Sequence, residues 1–335
     1  MTIREIAQLV GVSPATVSMV LNGKSGIGRE TRERVQKVLM ETNYTRYQRD
    51  MENASCNIRF VKYSKHGMVV EENQGFISAI IDRITAECRR FSYNLIMNGC
   101  NGNTVEETLQ SLTAASADGV IFLGSEIDAD LQQKLREVKL PMVVLDNSMR
   151  FTGLSSVVMA NEDIAVSAVR YLHRMGHRDI GYLHSTVCVN NFEERLAGYR
   201  AAIRQLGLSE SEPICLTPTL KGAYADMKKL LLSGAYHPHG AVFCANDTIA
   251  IGAARAMQEQ GYAIPGDVSM IGVDDIPFSA ITQPALTTMR VSRTLMGVLV
   301  VDTLRKHILH PEWAPTNVNV IGQLVERDSV REVQP

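Results

Sequence analysis

The N-terminal part of this 335-residue chain contains the sequence Ile3-Arg-Glu-Ile-Ala-Gln-Leu-Val-Gly-Val-Ser-Pro-Ala-Thr-Val-Ser18, whose spacing of apolar residues predicts how this part folds. Its apolar residues at positions 3, 6, 7 and 10 recur at the spacing of one helix face, which predicts a short helix. Gly11 and Val12 then form a tight turn. Ser13 is a favourable N-cap, and Pro14 fits the first position of a second helix, where its missing N–H costs little. Two short helices joined by a glycine-containing turn are typical of a helix-turn-helix.

The second helix of this motif has two different faces. The side chains expected in the core are Val17, Val20 and Leu21, with Val35, Val38 and Leu39 from a third helix over about 30–44. The outer face of the second helix carries Ala15, Ser18, Met19 and Asn22. A recognition helix with such a face lies in the major groove of DNA, with its N-terminal residues nearest the base edges. On the helix pattern alone, a small helical domain that binds no nucleic acid fits equally well.

Charge is distributed unevenly along the chain, whose formal net charge is −2. Residues 1–49 hold eight Lys and Arg residues against four Asp and Glu residues, whereas the remainder is acidic. A basic segment at one end of an acidic body suits a nucleic-acid contact at that end. The basic residues that could reach phosphates are Arg4, Lys24, Arg29, Arg32 and Arg34.

The composition is that of a globular protein with a large core, because 45% of the residues are hydrophobic and 21% are charged. We expect no membrane span and no secretory signal, since the chain has no apolar run of about 18 residues and its first residues include an acid. The six cysteines form no C-x-x-C pair, so we expect no metal, no disulfide framework and a reducing compartment where they are buried as small hydrophobes. The histidines have no adjacent nucleophile, and a G-x-x-x-x-G-K phosphate loop is absent, so we predict no enzyme and no cofactor.

The body of the chain follows a polar linker at 47–57 and alternates short apolar runs with helical patterns. The predicted strands are Ile58–Tyr63, Asn94–Met97, Val120–Leu123, Met142–Leu145, Ile180–Leu183, Ala241–Cys244 and Val268–Val273. Alternation of strands with helices predicts parallel sheets, and more than 270 residues are too many for one sheet. We therefore expect two doubly wound α/β lobes, with a ligand cleft at the carboxyl ends of the strands.

Polar residues follow several of these strands. Asp146 and Asp274 come directly after predicted strands, Asn246 follows another after the single residue Ala245, and Arg195 lies near the start of a predicted helix. Carboxylates, an amide and a guanidinium that converge on a cleft suit a polyhydroxylated ligand, because they accept and donate hydrogen bonds in fixed directions. From the residues alone, Asn246 and Asp274 could also be helix N-caps or turn formers.

The headpiece closely resembles that of the lactose-repressor (LacI/GalR) family. The resemblance rests on the quoted stretch, on Val20-Leu-Asn-Gly23 and on Thr31-Arg-Glu-Arg-Val35. It continues through the body, in segments that include Ala117-Asp-Gly-Val-Ile-Phe122, Pro141-Met-Val-Val-Leu-Asp146, Glu194-Arg-Leu-Ala-Gly-Tyr199, Ala245-Asn-Asp-Thr-Ile-Ala-Ile-Gly252 and Ile271-Gly-Val-Asp-Asp275. The resemblance implies an all-α helix-turn-helix headpiece on a core of two doubly wound lobes like the periplasmic sugar-binding proteins.

The resemblance also implies a domain plan: a DNA-binding domain at 1–46, a hinge at 47–57 and an effector-binding and dimerisation core at 58–330. We expect lobe 1 at about 58–156 plus 287–314, and lobe 2 at about 157–286 plus 315–330. The DNA contacts expected are Thr2, Ser13, Pro14, Ala15, Thr16, Ser18, Met19, Asn22, Arg29 and Arg32. The effector contacts expected are Phe76, Asp146, Arg195, Asn246 and Asp274.

The function implied is that of a sequence-specific transcriptional regulator, a repressor of carbohydrate-metabolism genes under allosteric control by a sugar or sugar derivative. Its partners would be a pseudo-palindromic double-stranded operator and a second copy of the chain, as a homodimer or a tetramer, in the bacterial cytoplasm at the nucleoid. Two alternatives stay open: a global regulator that depends on a co-repressor, and a solute-binding protein without DNA function.

Two departures from the family pattern limit the comparison. Arg46, Tyr47, Asp50 and Asn53 stand where the family hinge has Pro, Asn, Ala and a Leu that wedges into the minor groove. A polar Asn53 cannot supply an apolar wedge, so either Met51 takes its place, or the DNA is bent less, or the linker stays loose. Of these we predict weaker kinking of the operator. In addition, a stretch that begins with Lys65-His66 replaces the family's usual Asn-Pro-Phe-Phe at the first cleft loop. This pair either favours an anionic effector such as a sugar phosphate or is simply solvated.

Overall fold

The computed structural model describes residues 2–21, 26–42, 55–71, 74–114 and 117–333, which divide into an N-terminal and a larger compact unit. The predicted contact Asn22 lies outside the described residues. The hinge positions Arg46, Tyr47, Asp50 and Asn53 lie outside them too, so the prediction about operator kinking stays a prediction. In the described part of the chain, no helix is long and apolar enough to cross a membrane.

Three helices form the N-terminal unit: α1 Ile3–Val10, α2 Pro14–Leu21 and α3 Arg29–Glu41. Thr2 caps α1 reciprocally, since its hydroxyl accepts from the Glu5 N–H and the Glu5 carboxylate accepts from the Thr2 N–H. Gly11 ends α1 with φ +73°, a conformation that glycine adopts without strain. The core consists of Ile6, Ala7, Val10, Val17, Val20, Val35 and Leu39. The apolar faces predicted for the three helices are therefore the ones that pack together.

The larger unit contains two six-stranded sheets. The first has the order β11-β5-β4-β3-β1-β2, and the pairs β1–β3, β3–β4, β4–β5 and β5–β11 are parallel. Its strands are β1 Asn57–Ser64, β2 Asn94–Asn101, β3 Gly119–Leu123, β4 Met142–Leu145, β5 Ser155–Met159 and β11 Asn317–Val320. The helices of this lobe are α4 Gln74–Arg90, α5 Val105–Ala114, α6 Ala129–Leu135 and α11 Arg293–Leu309, the last of which packs on β3, β4 and β5.

The second sheet has the order β12-β10-β9-β8-β6-β7, with parallel pairs except for the antiparallel β10–β12. Its strands are β6 Ile180–Ser185, β7 Ile214–Leu216, β8 Ala241–Cys244, β9 Ser269–Val273, β10 Thr287–Arg290 and β12 Gln323–Val325. Its helices are α7 Asn161–Arg174, α8 Asn190–Gln205, α9 Leu220–Leu232 and α10 Asp247–Glu259, with a short 3₁₀ helix at Pro277–Ala280. The predicted architecture of two doubly wound lobes is confirmed.

The predicted lobe boundaries need correction. All of β5 belongs to the first sheet, so the chain crosses after Met159 rather than after 156. Thr287–Arg290 pairs with β9 of the second sheet, although it was assigned to lobe 1, and Asn317–Val320 pairs with β5 of the first, although it was assigned to lobe 2. The physical reason is that the sequence of a short strand does not indicate which strand it will pair with.

The expectation that every cysteine is buried is also wrong. Cys56, Cys88, Cys100 and Cys244 are buried, whereas Cys188 and Cys215 are exposed. Both exposed thiols lie at the β6–β7 edge of the second sheet: Cys215 is in the edge strand, and Cys188 is in the loop that follows β6. Among the described residues, no group of His, Cys, Asp and Glu is arranged to hold a metal ion.

Candidate functional site

The N-terminal end of α2 presents the residues predicted to face DNA. Ser13, Pro14 and Ala15 are exposed, and Thr16, Ser18 and Met19 are half-buried on the same outer side. The Ser13 hydroxyl caps the helix by accepting from the Thr16 N–H at 3.0 Å. The helix therefore begins with small exposed side chains, which let a backbone approach a surface closely.

The residues that flank α2 differ in how free they are to bind phosphate. Arg29 is almost fully exposed and pairs with Glu33 at 2.8 Å, one turn along α3. Thr2 is exposed, and Arg32 is half-buried. By contrast, the Arg34 guanidinium donates to the carbonyl of Val10 at 2.5 Å, which ties α3 to the end of α1. Arg34 was a candidate phosphate contact on charge alone, and the structure gives its side chain a contact within the fold.

A second candidate site lies between the two sheets of the larger unit. All five side chains predicted for the effector line one cavity: Phe76, Asp146, Arg195, Asn246 and Asp274. The remaining walls are Val69, Ile77, Met159, Val189, Asn191 and Phe192. The cavity is narrow, since about 20 Å³ is open to a water-sized molecule, room for about one water. The two lobes are thus closed on each other around these side chains.

Arg195 is the central cation of the cavity and is only 2% exposed. Its Nε donates to the Asn161 side-chain oxygen at 2.9 Å, its Nη1 donates to the Ala245 carbonyl, and its Nη2 faces the Met159 sulfur at 2.7 Å. Nη2 also lies 3.6 Å from Asp274 Oδ1. Because a thioether is a weak acceptor, Nη2 is the donor that a ligand oxygen would take most readily.

Asp146 lies at the end of β4 with φ +65° and is buried. Its carboxylate accepts from the Ser125 hydroxyl at 2.5 Å and from the Asn191 amide at 3.0 Å, and Asn191 also donates to its carbonyl at 3.1 Å. Burial raises the pKa of Asp146, and the Ser125 hydroxyl and the Arg195 charge oppose that rise. Since Asn191 belongs to the second lobe, this contact holds the lobes together.

Asn246 and Asp274 occupy the carboxyl ends of β8 and β9. Asn246 is the N-cap of α10, and its side-chain oxygen accepts from the Ile249 N–H at 2.9 Å. The helix-cap interpretation is therefore correct for that oxygen, and the residue still lines the cavity. Asp274 is buried with φ +107°, outside the range that non-glycine residues favour.

Several residues of the cavity and its support were not predicted, among them the wall residues Met159 and Asn191. Asn161 is not a wall residue, but it starts α7, accepts from Arg195 Nε, and donates to Asn191 and Glu194 at 3.1 and 2.9 Å respectively. Met159 is the last residue of β5, and Asn161 lies two residues beyond it; β5 is not among the strands predicted from the sequence. A run of small and branched residues, Ser155-Ser-Val-Val-Met159, followed by a helix N-terminus was the signal available for both.

The first cleft loop is organised by Glu126, whose side chain is completely buried. One oxygen accepts from the N–H groups of residues 65, 66 and 67 at 2.7, 2.9 and 3.0 Å. The other accepts from those of Val69 and Val70 at 2.9 and 3.0 Å. Burial alone would raise the pKa of Glu126, but these five donors outweigh it and lower the pKa.

The Lys65–His66 pair is engaged within the fold and does not line the cavity. The Lys65 ammonium pairs with Asp128 at 2.7 Å, and His66 Nδ1 accepts from the Met68 N–H at 3.3 Å. Of the two interpretations left open, a cation pair aimed at an anionic effector has no support from this geometry.

Comparison with known proteins gives a consistent result. A model described as bacterial regulatory proteins, lacI family, matches residues 2–46, and a periplasmic binding protein-like domain model matches residues 169–330. The ribose operon repressor of Haemophilus influenzae is 32% identical over 328 residues, which cover 92% of each chain. The HTH-type transcriptional repressor PurR of Vibrio campbellii is 28% identical over 345 residues, 99% of each chain.

Two solved structures cover nearly the whole chain. The transcriptional regulator CelR in complex with cellobiose has a TM-score of 0.73 and 25% identity, covering 98% of this chain and 99% of that one. The Lac repressor dimer bound to operator and the anti-inducer ONPF has a TM-score of 0.74 and 23% identity, with 99% of each chain covered. At that identity the second likeness shows the fold alone.

Proposed function

This chain belongs to the lacI family of bacterial regulatory proteins, and we propose that it is a repressor whose α2 recognises an operator and whose cleft binds an uncharged, sugar-like effector. Family membership makes it a DNA-binding transcriptional regulator rather than an enzyme. The observation that carries the proposal is the convergence of Asp146, Arg195, Asn246 and Asp274 on one closed cavity between the lobes.

We assign the operator contacts to the outer side of α2 and its flanks. Pro14, Ala15 and Met19 would face base edges. Pro14 is exposed at the N-terminal end of α2, and Ala15 and Met19 lie on the side opposite the buried Val17 and Val20. The phosphate and further base contacts would be Thr2, Ser13, Thr16, Ser18, Arg29 and Arg32, with Asn22 added from the sequence. One such headpiece reads only a few base pairs, so we propose a homodimer on a pseudo-palindromic operator at the bacterial nucleoid.

The charge of the cleft supports an uncharged ligand. Asp146 and Asp274 are both buried against a single guanidinium, Arg195, and the other polar walls are the amides Asn191 and Asn246. A phosphorylated ligand would add negative charge to a buried site that already carries two carboxylates, and burying an unpaired charge is costly. Hydroxyl groups can donate to each carboxylate and accept from Arg195 Nη2 at the same time.

Relatives with named sugars agree with this chemistry. One relative is a ribose operon repressor, and one solved neighbour is a complex with cellobiose. The closed cavity is smaller than either sugar, so we propose that ligand entry opens the lobes and replaces the Asn191–Asp146 and Arg195–Met159 contacts. A ligand that binds the open and closed forms unequally then shifts the population that holds the operator.

The DNA proposal is tested by selecting duplexes from a random pool with the full chain and measuring their affinity by fluorescence anisotropy at several salt concentrations. We expect a selected half-site repeat and a steep loss of affinity with salt, about 0.9 log units per log unit of salt for each phosphate neutralised. The Arg29→Ala variant should weaken binding to all duplexes and flatten the salt slope by about one phosphate. Arg170→Ala, at an exposed position of the core, is the matched control.

The absence of any sequence-selective, salt-dependent DNA binding would contradict the repressor proposal and favour a solute-binding protein.

The effector proposal is tested by thermal-shift screening of neutral sugars, followed by calorimetry that compares each sugar that binds with its phosphate ester. We expect the neutral sugar to bind more tightly. A tighter phosphate ester would contradict the charge argument, and the direction in which a hit changes operator affinity distinguishes inducer from co-repressor.

A further inference from the structure

Asp247 is a buried carboxylate directly behind the cleft, at the first position of α10 and next to Asn246. Its side chain accepts three hydrogen bonds. Oδ2 accepts from the Ile276 N–H at 3.0 Å and from the Ser279 hydroxyl at 2.6 Å, and Oδ1 accepts from the Thr288 hydroxyl at 2.6 Å. Asp247 therefore ties the start of α10 to β10 and to the segment 276–279.

That segment begins two residues after Asp274, the cavity carboxylate on the same loop. Asp274 and Asp275 both have positive φ, at +107° and +51°, a conformation that persists in non-glycine residues only when the surroundings hold it. The Asp275 carboxylate is held by Arg290 at 2.6 Å and by Arg327 at 2.5 Å. Asp247 holds the residues that follow, Ile276 and Ser279. The strained loop is therefore held at Asp275 by two arginines and just beyond it by Asp247.

The neighbouring strand β9 leaves space for the Asp247 carboxylate by having a glycine at position 272. A Cβ at position 272, in the middle of β9, would overlap Asp247 Oδ1. The glycine at this position is thus required for the carboxylate to lie against β9, where it reaches Thr288 on the adjacent strand β10. The contact is a built feature of the sheet edge that carries Asp274.

The buried carboxylates of Asp247 and Asp274 interact electrostatically. Burial first, and then the Asp274 charge, raise the pKa of Asp247 to about 7, against the lowering effect of its three donors. On β8, the neighbouring Cys244 thiol is neutral because burial raises its pKa well above the usual value. Arg195, on α8, lies beyond Asp274, at 3.6 Å from its Oδ1.

We propose that Asp247 is a positioning residue for the effector cleft: it holds the loop that aims Asp274 into the cavity, and its protonation state sets how firmly that loop is held. When Asp247 is neutral, Asp274 carries the only negative charge of the pair and the loop is held tightly. When both are ionised, their repulsion loosens the segment 274–279. The idea that this loop serves an effector rests on the proposed function, whereas the proton-controlled ordering does not.

The test is hydrogen exchange of the full-length protein without ligand, followed by mass spectrometry of peptides that cover residues 274–281. Rates are corrected for the intrinsic pH dependence of exchange. If the Asp247 carboxyl titrates near pH 7 when the loop is closed and near pH 4 when it is open, the protection of residues 274–281 from exchange falls about tenfold between pH 6 and pH 8. Peptides that cover β3 in the other lobe serve as the internal control and should show no such change.

Substitutions separate the charge from the hydrogen bonds. Asp247→Asn keeps the size and most of the hydrogen-bonding pattern but does not titrate, so its protection of 274–281 should be level from pH 6 to pH 8. Asp274→Asn removes the neighbouring charge, so the midpoint should move to lower pH. Thr288→Val removes a donor that stabilises the ionised form, so the midpoint should move to higher pH.

A tenfold pH dependence that persists in Asp247→Asn would overturn the proposal, as would a midpoint that Asp274→Asn leaves unchanged. Should Asp247→Asn fail to fold, the opposite shifts in Asp274→Asn and Thr288→Val still decide the matter. Since no ligand is used, these outcomes are independent of whether any sugar binds. Failure of the sugar screen with a confirmed pH response would therefore remove the proposed effector and leave the role of Asp247 in place.

Discussion

Replacing Glu126 by glutamine probes how strongly one buried carboxylate organises the first cleft loop. In the native chain its two oxygens accept from five backbone N–H groups between Lys65 and Val70. A glutamine can keep its oxygen toward the three N–H groups of residues 65–67, but its NH₂ group then faces those of Val69 and Val70. Two hydrogen bonds to a charged acceptor are lost, each worth about 1.5–3 kcal/mol, so the loop should lose about 3–6 kcal/mol.

The readout is hydrogen exchange of peptides that cover residues 65–71 in the full chain. A loss of about 3 kcal/mol corresponds to an exchange rate that is at least about a hundredfold faster, since 1.4 kcal/mol is a factor of ten. Glu137→Gln, at an exposed position of the same lobe, is the matched control and should change stability by less than about 0.5 kcal/mol. Exchange in Glu126→Gln within about threefold of the native rate would refute the reasoning.

The pH dependence of this loop has a defined sign. The pKa of Glu126 is lower in the folded protein than in the unfolded chain, despite burial, because the backbone donors favour the ionised form. Its stabilising contribution is therefore complete above the unfolded value of about 4.3 and is lost as the pH falls through the lower folded value. Loop protection should persist at pH 5 and disappear in stronger acid, opposite to the behaviour expected of Asp247.

Two further predictions concern the cleft and the headpiece. Arg195→Lys keeps the charge but loses the planar guanidinium that reaches Asn161 and Ala245 together. Calorimetry should therefore show that any sugar found in the screen binds at least about tenfold more weakly to this variant. Operator binding without ligand should stay at the native level. Gly11→Val places a β-branched residue at φ +73°, which costs about 1–2 kcal/mol, and should increase exchange in α1 and weaken operator binding. Unchanged affinity in the first variant, or unchanged exchange in the second, would show that these contacts carry no such role.

The sequence predicts correctly those features that depend on interactions between residues close together in the chain. The two faces of α2 and the Ser13 cap follow from spacing and side-chain type within four residues, and both agree with the structure. Asp146, Asn246 and Asp274 were candidates because polar residues that follow apolar strands of parallel sheets meet at one edge, and Arg195 was a candidate because it lies near the start of a helix. Their assignment to the effector, and that of Phe76, came from the family resemblance.

Other parts of the site could not be found in this way. Asn161 had no strand end to mark it, because β5 is a short run and one of its two partners, β11, is distant in sequence. Asn191 lies at the start of α8, several residues after β6, so it does not directly follow a strand either. Glu126 looked like an ordinary loop acid, although its five donors come from about 60 residues earlier. The lobe boundaries failed for the same reason, since each crossing strand is assigned by its hydrogen-bonded neighbour.

The helix-turn-helix, the alternation of strands and helices, and the polar residues at the strand ends could be predicted from sequence, because each depends on spacing and side-chain chemistry over a few positions. Three features became visible only in the folded chain: which strands share a sheet, the five hydrogen bonds of Glu126 to one loop, and the proximity of Asp247 to Asp274. Those features depend on burial and on hydrogen bonds between residues far apart in the chain. Burial changes what a carboxylate does, and it is a property of the assembled fold.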